Sequence, residues 1–64
     1  MNTEETAQKI LTYLEKHETL SSWQLKTALR LQLSEVYLAL GFLSARGKIA
    51  VEPQGLNYKV TLIK

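Results

Sequence analysis

At Gly47 the hydrophobic period of this chain changes from that of a helix to that of a strand, and this switch limits the folds open to it. Before Gly47, apolar residues recur at i, i+3, i+4 and i+7, the spacing of one helical face. After it they alternate with other side chains, the spacing of one face of a sheet. Helices must therefore come first and strands last. The 64 residues leave room for one domain, read as residues 1–64, because independent domains need roughly 50 residues or more. A chain this short buries only about 60% of the surface it exposes when unfolded, so a second copy or a partner would add usefully to its core.

The first helix is expected over about 3–17, with Ala7, Ile10, Leu11 and Leu14 on one face and Asn2 as its cap. The second, about 22–30, starts sharply. Ser21 and Gln24 have capping-box spacing, and Leu20 stands where it can pack on Leu25 as a hydrophobic staple. Its inward residues are expected to be Leu25, Ala28 and Leu29. The third, about 33–46, begins at Gln32 with Glu35 three residues on, and stops at Gly47. Between the first two helices, Glu18-Thr19-Leu20 is too short for more than a connection or one bridge of sheet. Strands are expected over about 48–52 and 57–63, joined by Pro53-Gln54-Gly55, where Pro presets a turn and Gly supplies a positive φ. The layout is α+β: a three-helix bundle followed by a C-terminal β-hairpin.

That order of elements is the winged helix-turn-helix arrangement, and the stretch Tyr37-Leu38-Ala39-Leu40-Gly41-Phe42-Leu43-Ser44-Ala45-Arg46-Gly47-Lys48-Ile49 narrows it further. It resembles the "YLALGWLAREGKI" stretch of a family of small stand-alone prokaryotic winged helix-turn-helix proteins. Here Phe42 replaces Trp, and Ser44-Ala45 replaces Ala-Arg. The resemblance covers nearly the whole chain. It implies the fold and homodimerisation, and it brings no assigned biochemical activity.

Catalytic chemistry finds no foothold in the residues. There is one His, no Cys and no Asp, so no catalytic triad, carboxylate pair or metal-ligand spacing is available. His17 is a conceivable general base, but at the end of an amphipathic helix it reads as a solvated residue that complements the dipole. Gly41, Gly47 and Gly55 lie too far apart for a phosphate loop. No catalytic, cofactor or metal site and no small-molecule substrate is expected. The polar N-terminus and the lack of an apolar run of about 20 residues argue against a membrane span. The absence of cysteine suits an intracellular setting, so a cytoplasmic location is expected. Trp23, the only tryptophan, is read either as a packing residue at the corner of the first two helices or as an exposed aromatic anchor.

The third helix carries the functional reading. At about 100° per residue, Val36, Ala39, Leu40 and Leu43 form the face turned to the other helices. The opposite side collects Ser34, Leu38, Gly41 and Ala45, flanked by Tyr37 and Phe42. A major-groove reader needs Arg, Lys, Asn or Gln on that side to reach base edges, and none occurs between Leu33 and Ala45. A helix apolar nearly all round is usually buried on both sides. Gly41 in mid-helix costs about 1 kcal/mol relative to Ala and calls for a reason. Either another backbone approaches there, or a side chain of the same domain packs closely. The favoured expectation is a symmetric dimer or protein-partner site formed by Ser34, Tyr37, Leu38, Gly41, Phe42 and Ala45.

The alternative is a DNA-binding module of regulatory type. Lys26 and Arg30 on the second helix, Arg46 and Lys48 at the end of the third, and Lys59 on the hairpin are candidate phosphate contacts, which fix position without reading sequence. A net charge of +2 gives that alternative little weight. The hairpin tip from Glu52 to Asn57 also lacks any basic residue.

Overall fold

The computed structural model describes residues 2–63. Six elements follow in order: α1 (Thr3–His17), β1 (Thr19–Ser21), α2 (Ser22–Leu29), α3 (Leu33–Ala45), β2 (Ile49–Gln54) and β3 (Asn57–Leu62). The three helices cover one face of an antiparallel sheet with strand order β1-β3-β2.

Local chemistry accounts for most boundaries. The Asn2 side chain accepts from the Glu4 N–H at 2.8 Å and starts α1. At α2 the capping box is closed in both directions. Ser21 Oγ accepts from the Gln24 N–H at 3.0 Å, and Gln24 Oε1 accepts from the Ser21 N–H at 2.8 Å. Glu35 Oε1 accepts from the Gln32 N–H at 3.0 Å at the start of α3. Gly47 ends that helix with φ +70, a conformation that carries no Cβ penalty in glycine.

The third strand is the main addition to the sequence reading. Residues 19–21 pair antiparallel with β3, with Leu20 opposite Val60, and the Leu62 N–H extends the ladder to the Glu18 carbonyl at 2.9 Å. Ser22 completes it. Its hydroxyl, fully buried at 0% exposure, accepts from the Tyr58 N–H at 3.0 Å, where β1 has already given way to helix. A part-buried donor left without that oxygen costs about 1–3 kcal/mol. Ser22→Ala is therefore expected to lower the melting temperature by roughly 4–24 °C, at about 4–8 °C per kcal/mol for a small domain. Thermal unfolding followed by circular dichroism checks this, and an unchanged midpoint counts against the tie.

Two expectations need correction. Ala28 is exposed, whereas Ser22 and Leu25 are buried and Leu29 is half-buried. At about 100° per residue, Ser22, Leu25 and Leu29 define a stripe from which Ala28 is turned away. Pro53, expected in the turn, lies in β2 opposite Tyr58, and the loop is Gly55-Leu56 with Gly55 at φ +64. Glycine with positive φ at the first position of a two-residue loop is the type II′ pattern. Because β2 is an edge strand, the missing N–H of Pro53 costs no ladder bond.

The core runs through every layer: Ile10 and Leu14 from α1, Leu25 from α2, Val36 and Ala39 from α3, and Val60 from β3 are each at most 0% exposed. Leu20 belongs to the same cluster as Leu25, in keeping with its place before the α2 cap. No described helix is long and apolar enough to cross a membrane.

Candidate functional site

Packing of Val36, Ala39, Leu40 and Leu43 into the core leaves the opposite side of α3 at the surface. Ser34, Gly41 and Ala45 are exposed there, Leu38 is 65% exposed and Tyr37 is 39% exposed. Gly41 is open: a Cβ added to it would meet nothing within 4 Å. Close packing by a side chain of the same domain, one of the two readings of this glycine, has no counterpart among the described residues.

The six interface candidates divide between two sides of the helix. Tyr37 and Gly41 face the hairpin and, with Leu40, Ser44, Val51 and Tyr58, line a groove of about 300 Å³. The rings of Tyr37 and Tyr58 meet edge to face, with centroids 5.7 Å apart and planes at 88°. This geometry suits the opposed charge of ring edge and ring face. None of the described residues that line it is charged. Leu38 turns the other way, toward Thr3 and Thr6 at the start of α1. Phe42 is half-buried against the core, and the Arg46 guanidinium lies 4.5 Å from its ring centroid. It does not share the groove. Ser34 and Ala45 mark the two ends of the exposed strip.

Glu35 is held at the start of α3 and does not stand free on the outer face. One carboxylate oxygen caps Gln32, and the other is buried without a hydrogen-bond partner among the described residues. Its charge is drawn back onto the helix start. The outer face of α3 is consequently almost free of charge.

The five candidate phosphate contacts are not gathered on one surface. Lys26 Nζ lies 4.8 Å from the Trp23 ring centroid on α2, and Arg46 covers Phe42. Arg30 closes α2 in the left-handed conformation, with φ 54. Lys48 shares a recess with Arg46 and with Glu4 of α1. Lys59 stands opposite Glu52 in the hairpin. Trp23, at 51% exposure, carries Lys26 on its ring instead of entering the core.

Sequence reasoning missed the contribution of the hairpin to this site. Tyr58 and Val51 were assigned to strands with no role beside α3, since alternation identifies a face without saying which helix will cover it. A second recess of about 510 Å³ between α1 and α2 was also unforeseen. Its rim, with Glu5, Lys9 and Lys16 around Tyr13 and Leu29, bears charge of both signs. Among the described residues no group of three or more His, Cys, Asp or Glu is placed to hold a metal ion.

No curated protein and no solved structure matches the chain. A family model described as a winged helix-turn-helix domain, DUF2582, matches residues 2–62. Its fold agrees with the three helices and antiparallel sheet found here. The chain belongs to the DUF2582 family of winged helix-turn-helix domains.

Proposed function

We propose that this winged helix-turn-helix domain is a non-catalytic interaction module that self-associates through the outer face of α3. The observation that carries this reading is Gly41: a glycine in mid-helix, exposed, with open space in front of it. Beside it stand Tyr37 and the largely exposed Leu38. The helix gives up about 1 kcal/mol at Gly41 relative to Ala, and no contact among the described residues accounts for that. Close approach of a second molecule does. The face also lacks the charge that would make two copies repel each other. The non-catalytic part of the reading rests on the single His and the lack of Cys and Asp. Sedimentation of the wild type beside a Leu38→Glu, Gly41→Leu double variant tests it: the wild type is expected as a dimer and the variant as a monomer.

DNA binding is the second reading, favoured by the fold itself and by the exposed Arg46 and Lys48 at the end of α3. Fold alone does not assign function. With Lys26 and Arg46 laid over aromatic rings and Lys59 opposite Glu52, any such binding is expected to be weak and independent of sequence. Titration of a labelled duplex is expected to show affinity only at low salt, falling steeply as salt rises because phosphate contacts release counterions. Tight binding to one sequence at physiological salt would overturn the protein-interaction reading in favour of this one.

A further inference from the structure

The open edge of the sheet offers a way for two copies to meet. Gln54 and Asn57 flank the two-residue loop, so they form a hydrogen-bonded pair, and alternation makes Glu52–Lys59 and Ala50–Thr61 hydrogen-bonded pairs as well. The Ile63 N–H, which donates to the Lys48 carbonyl at 3.0 Å, fits the same alternation. The backbone groups of Ile49, Val51 and Pro53 therefore point away from β3, along the free edge of β2. Proline contributes no donor, so only Ile49 and Val51 present both an N–H and a C=O there.

We infer that two copies pair antiparallel along β2 in a register centred on Ala50, joining their sheets into one of six strands. This deepens the self-association reading above and rests on it. In that register Ile49 of each copy lies opposite Val51 of the other, and both exchange two backbone hydrogen bonds. Lys48 falls opposite Glu52 of the second copy, and Glu52 opposite Lys48, giving two symmetric pairs of opposite charge. Each Glu52 already has Lys59 on its other side, so the charges across the joined sheet alternate in sign. Pro53 falls opposite Gly47, beyond the paired segment, and ends the pairing without losing a bond.

The side chains suit the same arrangement. Ala50 meets Ala50 on the outward face, where small residues let the strands approach. Val51, half-buried within one copy, gains Ile49 of the other as a neighbour on the inward face. Since α3 is the helix packed on β2 in the groove lined by Tyr37, Gly41 and Val51, the two-fold axis places both α3 helices on one side of the joined sheet. Charge complementarity and the self-matching edge commit the surface to a second copy of this chain.

The chain contains no cysteine, so an Ala50→Cys variant supplies a unique probe. Directly opposed residues of a non-hydrogen-bonded pair have Cα atoms about 4.5 Å apart, within disulfide reach. Under oxidised glutathione, Ala50→Cys is expected to form a covalent dimer at least tenfold faster than Thr19→Cys, which sits on the opposite edge of the sheet. In a second arm, Lys48→Glu alone and Glu52→Lys alone are each expected to weaken the dimer, and mixing the two is expected to restore it, because the mixed dimer has both charge pairs. If the wild type is dimeric but Ala50→Cys links no faster than Thr19→Cys and mixing restores nothing, the register is wrong and self-association stands. A monomeric wild type overturns both.

Discussion

Leu14→Ala is expected to lower the melting temperature by roughly 8–40 °C. Leu14 is 0% exposed and belongs to the core cluster with Ile10, Leu25 and Val60. Truncating a buried Leu costs about 2–5 kcal/mol, through lost transfer energy and the cavity left behind. A chain of this length has a stability of only about 3–10 kcal/mol at the usual 0.05–0.15 kcal/mol per residue. The substitution thus removes a large share of the total, and at about 4–8 °C per kcal/mol the shift in midpoint is correspondingly large. Leu56→Ala is the control, since Leu56 at the hairpin tip is 98% exposed; it is expected to change stability by no more than about 0.5 kcal/mol. Both melts need the same protein concentration, because association makes the midpoint concentration-dependent. Equal effects of the two substitutions would contradict the core described here.

The second large effect is on association. Leu38→Glu combined with Gly41→Leu is expected to weaken the dimer by at least a hundredfold while leaving the fold intact. The Glu places a carboxylate where apolar area is to be desolvated, and burying an unpaired charge is among the costliest changes at an interface. The Leu fills the space in front of the helix backbone that close approach requires. Neither change strains the single chain: Leu38 is 65% exposed, and a Cβ at Gly41 meets nothing within 4 Å. Gly41→Leu also removes the cost of a mid-helix glycine, so the folded monomer is expected to be no less stable. A melting transition like that of the wild type, together with half the mass, separates lost association from unfolding.

The parts of this structure legible in the sequence are those set by neighbours along the chain. The period of α1, the Ser21–Gln24 capping box and the stop at Gly47 each depend on residues within four positions, and each is found. What was hidden depends on distant partners. Three residues of β1 are too few to display alternation, and their strand geometry comes from pairing with β3 some forty positions away. Ser22 looked like an ordinary first residue of a helix, because nothing nearby announces that Tyr58 will need its oxygen. Pro53 suggested a turn, and only its place on an edge strand allows it within β2. The same limit applied to the candidate site. The helical projection exposed the apolar side of α3 but treated Tyr37, Leu38 and Phe42 as one patch. Packing against α1 on one flank and the hairpin on the other divides them.

The central claim is that the outer face of α3 meets a second copy of the chain. Sedimentation equilibrium of the wild type over a range of concentrations tests it most directly. The account predicts a species of twice the 7.3 kDa mass of one chain, dissociating on dilution. A mass of 7.3 kDa at every concentration up to the millimolar range would contradict it.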